Sequence, residues 1–277
     1  MRERTLRSQP RSQSSIAISS DGERWVLVNA SPDIRAQILD FPPLRPEHQS
    51  RGSNICAILL VDSQLDHTTG LLSLREGTTL ELYSTEMVYR DLTTGFPVLR
   101  ILEHYCGVTW HPVALDGLGF SIPGAEGLRF TALPLDSKAP PYSPHRYDSH
   151  LGDTIGLRVE DVRSERTLFY APGLGRLEQP IMHVMAQADV LLVDGTFWSE
   201  DEMVLRGTGT KLASEMGHLP QSGPAGTIEL LRSMTKPRKI LIHINNTNPI
   251  LDEGAAERDL LRKEDIDVAW DGMDLVL

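Results

Sequence analysis

Only two cysteines, Cys56 and Cys106, occur in 277 residues. That is too few for a disulfide framework, so an apolar core has to hold the chain together. Cys56 lies in the run ICAILLVD and reads as a small buried hydrophobe with an inert thiol. No apolar run approaches the roughly 18–20 residues of a membrane span. The basic opening MRERTLRSQPRSQSS lacks the apolar centre of a secretory signal, and both absences predict a cytoplasmic protein. Lysine and arginine total 27 against 38 acidic residues, for a net charge of -11. With no basic block, nucleic acid is not an expected partner, because phosphate binding needs a clustered basic face. No phosphate loop of Walker or dinucleotide type is present: YAPGLG and GTGT carry glycines without joining a strand to a helix at the required spacing. The absence of G-x-S-x-G disfavours a serine hydrolase.

What is present is ordinary globular composition, 40% hydrophobic and 23% charged, which is enough for a folded core. Short apolar strands alternate with longer segments, the pattern of an α/β protein. SSIAIS and RWVLVN around Asp21-Gly22 predict a β-hairpin. The Ser-Pro-Asp cluster at 31–33 starts a helix over DIRAQILDF, and a Pro- and Arg-rich loop covers 41–53. NICAILLV, residues 54–61, reads as a strand buried on both faces. Further strands are expected at 80–84, 128–135, 154–160, 167–171, 190–193 and 239–244, with helices at 86–93, 180–187 and 224–234. IDVAWDGMDLVL predicts a closing strand pair that turns at Asp271-Gly272. There is no internal repeat and no linker, so one domain over 1–277, two β-halves with helices outside, is the economical expectation.

Three buried strands end in side chains of metal-ligand type. ILLVDSQLDH closes with Asp62, Asp66 and His67, DVLLVDG with Asp194, and KILIHINN with His243. Functional groups collect at strand carboxyl ends, where the sheet holds them while the loops leave access. Carboxylate and imidazole together suit zinc, manganese or non-haem iron; the alternative is that each aspartate caps a helix and His243 is a hydrogen-bonded core residue. His218 in MGHLPQSG sits on a loop before a helix start at Pro224 and suits a ligand or proton-transfer role, or a plain surface histidine. The loop PPYSPHRYDSHLGD, with Tyr142, His145 and His150, has the composition of an active-site rim. Among the amides of INNTNPI, Asn245 suits a ligand contact and Asn248 a turn. Asp201 and Glu202 read as a helix N-terminus. His48, His104, His111 and His183 have no spacing that demands a role.

The plan of two β-halves with polar strand ends resembles the metallo-β-lactamase superfamily, whose fold is a four-layer αββα sandwich. Its His-x-His-x-Asp-His signature aligns onto Asp62-Ser63-Gln64-Leu65-Asp66-His67 and keeps only the last two positions. Without the leading histidines the usual first zinc site does not form, which counts against a two-zinc hydrolase. DSQLDHTTGLLSLREG, APPYSPHR, LLVDGTFW, MGHLPQSG, LIHINNTNPIL and the closing DGM closely resemble the PqqB family, the coenzyme PQQ synthesis B proteins, from about residue 9 onward. Family members open with a short strand, a glycine-rich turn and a Cys-x-Cys-x-x-Cys zinc knuckle that have no counterpart here. The expectation is therefore no structural zinc and a sheet lacking its first strand, its edge open to homodimer pairing.

The resemblance implies a part in pyrroloquinoline quinone biosynthesis, alongside other proteins of that pathway. It implies Fe(II)- and oxygen-dependent hydroxylation of the tyrosine in a Glu-Tyr dipeptide derived from a precursor peptide. On that reading Asp66, His67 and His243 hold the metal, since two-histidine, one-carboxylate sets bind Fe(II) with positions left for oxygen and substrate. Asp194 is a bridging or orienting carboxylate and His218 a proton-transfer group, while Asn245, Tyr142 and one of His145 and His150 meet the substrate. Zinc is the other metal to expect. The alternatives are a soluble carrier that helps move the quinone or its precursor to the periplasm, and a single-metal, phosphodiesterase-like hydrolase.

Overall fold

A computed structural model describes residues 7–46 and 52–277; His48 and the middle of the 41–53 loop lie outside the described residues. Two compact units emerge, one formed by Ser12–Thr167 and the other by residues 7–11 together with Leu168–Leu277.

In the Ser12–Thr167 unit, β1 (Ile16–Ile18), β2 (Trp25–Val28), β3 (Ile55–Leu59), β4 (Leu80–Ser84) and β5 (Val108–Pro112) lie side by side in that order. β1 is antiparallel to β2, as the expected hairpin requires, and the remaining pairs are parallel. Between them run α1 (Ile34–Asp40), α2 (Leu65–Thr68), α3 (Glu86–Thr93) and α4 (Val98–Leu102). Ile34, Ile58, Leu71, Leu82, Val88 and Leu92 pack into one apolar cluster and are all but fully buried, each contributing roughly 1.5–3 kcal/mol through removal from water. An antiparallel pair, β6 (Leu128–Pro134) and β7 (Ile155–Asp161), completes this unit. It joins the end of the β3 segment through Ile155 N–H donating to the Val61 carbonyl at 2.9 Å.

The other unit is a parallel array in the order β8 (Thr167–Ala171), β9 (Val190–Asp194), β10 (Arg238–Ile242) and β11 (Ile266–Val268). Its helices are α5 (Gln179–Gln187), α6 (Glu202–Leu205), α7 (Ala213–Met216), α8 (Thr227–Arg232) and α9 (Ala256–Lys263). Every residue of β8 and β9 is buried, as their unbroken apolar runs predict for strands covered on both faces.

Three expectations need correction. The helix foreseen from Pro224 begins at Thr227, because Gly226 packs so closely against the carbonyls of Gln221 and Ser222 that 224–226 serve as a turn. The strand foreseen to Ile244 stops at Ile242 because His243 takes a left-handed backbone, φ +59°. The closing strand pair is not formed: the Asp271-Gly272 turn is there, with Met273 N–H on the Trp270 carbonyl at 3.1 Å, but residues 273–277 join no strand. β11 instead finds a parallel partner in β10. Among the described residues no helix is long and apolar enough to cross a membrane, and both cysteines are free thiols. Burial raises the pKa of Cys56 above the ordinary thiol range, in keeping with an inert thiol.

The β1–β2 turn yields a pH-dependent prediction. Asp21 accepts from the N–H groups of Arg24 and Glu23, at 2.9 and 2.8 Å, and from Ser19 Oγ at 3.0 Å. The two backbone donors are the main reason its carboxyl is held at about 2. A carboxyl with a depressed folded pKa stabilises above its unfolded value and loses that contribution as pH falls through the folded one. Asp21→Asn is expected to cost on the order of 0.5 kcal/mol at pH 7, a small figure because the group is exposed. Urea melts of both proteins at pH 7 and pH 3 check this; the gap should be smaller at pH 3.

Candidate metal centre

β9 is held rigidly along its length and delivers Asp194, 0% exposed, at its carboxyl end. Four donors converge on that carboxylate. Oδ2 accepts from Leu174 N–H at 2.9 Å and His218 Nδ1 at 2.7 Å, and Oδ1 accepts from Thr196 N–H at 2.9 Å and Thr196 Oγ1 at 2.5 Å. Burial alone would raise its pKa. The neighbouring His218 and His243 and the hydrogen bonds from His218 and Thr196 outweigh that and hold it below the usual carboxylate range. Asp194 is thus an ionised group enclosed by donors, a state that a buried carboxylate sustains only when so paired.

His218 and His243 reach this carboxylate from separate elements. Gly217, at φ +92°, ends α7 and turns the chain so that His218 follows, its ring edge-on to Phe197 with centroids 5.7 Å apart. The left-handed turn at the end of β10 places the His243 ring over that of His218, 5.4 Å away and 22° from parallel. One ligand atom each from Asp194, His218 and His243 lies within 4.8 Å of the others. A carboxylate with two imidazoles is a donor set that suits zinc or Fe(II), and the fit extends to protonation. His218 points Nδ1 at a carboxylate and His243 points Nδ1 at Thr196 Oγ1, 2.7 Å away. A hydrogen on each Nδ1 places the lone pair of each ring on Nε2, the form in which a neutral imidazole is a metal ligand.

The Asp66-His67 motif sits in the other unit, on α2. His67 is 1% exposed and its Nδ1 lies 2.7 Å from Asp62 Oδ1, while Nε2 lies 3.9 Å from Asp66 Oδ2. Asp62, which stands where the superfamily signature has its first histidine, therefore orients His67 through Nδ1, with Nε2 on the side of Asp66.

The 142–150 loop is pinned from within. Tyr142 donates its hydroxyl to the Ser63 carbonyl and packs its ring on Phe96 at 5.7 Å. Burial, reinforced by the Asp91 and Asp62 carboxylates, raises its pKa well above the ordinary phenol range. Buried Asp91 accepts from Ser63 Oγ at 2.7 Å and Ser143 Oγ at 2.6 Å, tying this loop to the segment that carries Asp62. His145 is pinned by Asp153 at 2.7 Å. The His150 side chain is 45% exposed, its nearest carboxylate Asp148 at 3.5 Å; of the two histidines, His150 is the one open to a ligand.

Asn245 donates its amide to Thr247 Oγ1 at 2.7 Å, and Thr247 in turn donates to Glu202. Glu202 begins α6 as expected but is buried, and it also accepts from Trp198 N–H at 2.6 Å. Asn248 fulfils its turn role, with Oδ1 accepting from Ile250 N–H at 3.1 Å, and also donates to the carbonyls of Gly195 and Thr196. Sequence reasoning missed Asp91, Thr196 and Gln221. The hint available was that Ser63 follows Asp62 directly and Thr196 lies two residues beyond Asp194.

A family model described as a beta-lactamase superfamily domain matches residues 24–244. The coenzyme PQQ synthesis protein B of Methylococcus capsulatus is 58% identical over 277 residues, covering all of this chain and 91% of the relative. That of Pseudomonas aeruginosa strain UCBPP-PA14 is 58% identical over 278 residues with the same coverage. The crystal structure of Zn(2+)-bound PqqB from Methylobacterium extorquens is 36% identical with a TM-score of 0.86, over 98% of this chain and 89% of that one. A diphosphatase of the PhnP family, at 20% identity and TM-score 0.62 over 96% of this chain and 84% of that one, shares the fold.

Proposed function

This chain belongs to the coenzyme PQQ synthesis protein B family, within the β-lactamase superfamily and with its metallo-β-lactamase α/β fold of two mixed sheets and helices, and from that membership we propose that it acts in PQQ biosynthesis as an Fe(II)-dependent hydroxylase of the tyrosine ring in a Glu-Tyr dipeptide. The observation that carries this reading is the hydrogen-bonded set Asp194, Thr196, His218 and His243, which offers two imidazole nitrogens beside a buried, ionised carboxylate.

His243 is the ligand on which the proposal leans most, and Asp66 and His67 remain proposed as further ligands, with His67 held for that task by Asp62. Metal content of the Asp66→Ala and His67→Ala proteins tests them one at a time. A bound Fe(II) would supply the means to use dioxygen at a phenol ring. Asp194 keeps His218 oriented, and His218 is the group proposed to carry protons to and from the substrate. Because the amide nitrogen of Asn245 is committed to Thr247, its carbonyl oxygen is the atom to accept from a substrate N–H. The exposed His150 edge suits a substrate carboxylate.

Iron-loaded protein, given the Glu-Tyr dipeptide, oxygen and a two-electron reductant such as ascorbate, is expected to form the dihydroxyphenyl dipeptide with one oxygen consumed per product. Absence of oxygen uptake with the metal fully occupied would reject the hydroxylase. The zinc-bound relative favours a second metal, and with it a single-metal hydrolase. Turnover of a chromogenic phosphodiester by zinc-loaded protein, abolished in His67→Ala, would select that reading.

A further inference from the structure

Thr196 has no metal-ligand chemistry, yet its hydroxyl lies where the metal-ligand residues of its unit meet. Oγ1 is 2.5 Å from Asp194 Oδ1, 2.7 Å from His243 Nδ1, 2.9 Å from the His243 carbonyl and 3.1 Å from His218 Nδ1. We propose that Thr196 is a positioning residue whose hydroxyl relays the Asp194 charge to His243, fixing that ring with its hydrogen on Nδ1 and its lone pair on Nε2. The inference rests on reading His243 as a ligand and adds how the chain makes it one.

Counting protons leads to this assignment. A hydroxyl has one proton to give and lone pairs with which to accept. The shortest of its contacts is to an ionised carboxylate, the strongest acceptor in reach, so the proton goes to Asp194 Oδ1. Thr196 Oγ1 then turns a lone pair toward His243 Nδ1, and at 2.7 Å that contact is a hydrogen bond only if the nitrogen carries the hydrogen. A neutral imidazole protonated there has its lone pair on Nε2. His218 reaches the same state directly through Asp194 Oδ2. One buried charge thus sets two rings, the second by way of a threonine.

The backbone around Thr196 is built to hold this position. Asn248 donates to the Gly195 and Thr196 carbonyls at 3.0 and 3.2 Å, Gln221 donates to the Gly195 carbonyl, and both amides are essentially fully buried. Asn245 N–H closes on the Thr196 carbonyl at 3.1 Å. Between these contacts His243 keeps its left-handed backbone, a conformation that a non-glycine residue retains only where its surroundings enforce it.

The test compares wild type with Thr196→Val, which keeps the shape and removes the hydroxyl, and Thr196→Ser, which keeps the hydroxyl. In metal-free protein labelled with 15N-histidine, His243 is expected as the Nδ1–H tautomer in wild type and in the serine variant, and not in the valine variant. Affinity for Zn2+, read by competition with a chromophoric chelator, should fall 10- to 100-fold in Thr196→Val and return in Thr196→Ser. Thermal melting of the metal-free proteins shows which variants are folded. An Nε2–H tautomer at His243 in wild type overturns the proposal with no variant needed, and so does a folded Thr196→Val protein that binds Zn2+ within twofold of wild type. Wild-type protein that shows the Nδ1–H tautomer but binds neither Zn2+ nor Fe(II) would instead overturn the metal reading and leave the relay standing.

Discussion

Asp194→Asn is expected to lose about 3–5 kcal/mol of stability, the range seen when one partner of a buried, hydrogen-bonded charge pair is removed, and to emerge from dialysis without metal. The substitution changes almost no volume, so the cost is electrical. All four hydrogen bonds to the carboxylate point inward, two to each oxygen. An amide can accept at only one of its two ends. If its NH2 takes the Oδ2 place it faces Leu174 N–H and His218 Nδ1–H; in the Oδ1 place it faces Thr196 N–H, with only the Thr196 hydroxyl free to turn to the His243 carbonyl 2.9 Å away. Either way a buried donor is left facing another donor, and His218 loses the anion that holds its proton on Nδ1. Urea unfolding of the metal-free proteins gives the stability and elemental analysis gives the metal. An unfolding free energy within about 0.5 kcal/mol of wild type, below the usual cost of one unmade buried hydrogen bond, would mean that Asp194 is not the ionised hub described above.

How this site could be read from the sequence follows from what each residue does. The places of Asp194 and His243, and of the Asp66-His67 pair, at or just beyond strand ends were legible because an apolar run that stops at a carboxylate or imidazole reads as a strand ending in a polar group, and β3, β9 and β10 fall where those runs predict. The hairpin around Asp21-Gly22 was legible because turn chemistry is local, and Gly22 takes the positive φ it demands, +78°. Asp62 was read as a strand-end carboxylate of metal-ligand type and as the position where the signature's first histidine is missing. That it orients His67 depends on the turn into α2, which returns the imidazole to the carboxylate five residues earlier. Thr196, Gln221 and Asp91 were barely legible, since apart from Asp194, two residues from Thr196, the partners that give them their roles lie 22 to 52 residues away in the chain and threonine, glutamine and aspartate are commonplace in loops. α9 escaped for a different reason. AERDLLRK is mostly polar, with Ala256, Leu260 and Leu261 as its apolar residues, yet it carries acids in its first turn and bases in its last, the arrangement that favours the helix dipole. The closing MDLVL shows the converse error: an apolar tail has strand propensity, but β11 already has its partner and Val276 remains 85% exposed.

Gly70→Ala is expected to be the most damaging single methyl that can be added near the motif. Gly70 N–H donates to the Ala30 carbonyl at 2.9 Å, and Ala30 N–H donates to the His67 carbonyl at 2.7 Å, so residues 67–70 dock backbone to backbone on the segment after β2. A methyl on Gly70 would fall inside the Ser31 carbonyl oxygen and 2.7 Å from that of Ala30. Neither obstacle is a side chain that can swing away. Both belong to a stretch anchored by Asn29, whose N–H reaches the Leu59 carbonyl at 2.9 Å and whose Oδ1 accepts from Val61 N–H at 3.1 Å. The contact has to be relieved by moving the backbone of 67–70, and His67, 1% exposed and oriented by Asp62 2.7 Å away, moves with it. The expected loss is about 3 kcal/mol, the upper part of the range for overpacking, together with a fall in metal affinity of at least tenfold if His67 is a ligand. Gly77→Ala is the matched control in the same segment, since an added Cβ there meets nothing closer than 3.8 Å. Urea melts and zinc competition on the three proteins separate the outcomes. Stability lost with affinity kept would mean that the docking serves the fold and His67 does not touch the metal; a Gly70→Ala protein as stable as Gly77→Ala would mean that residues 67–70 are not held against Ala30 and Ser31.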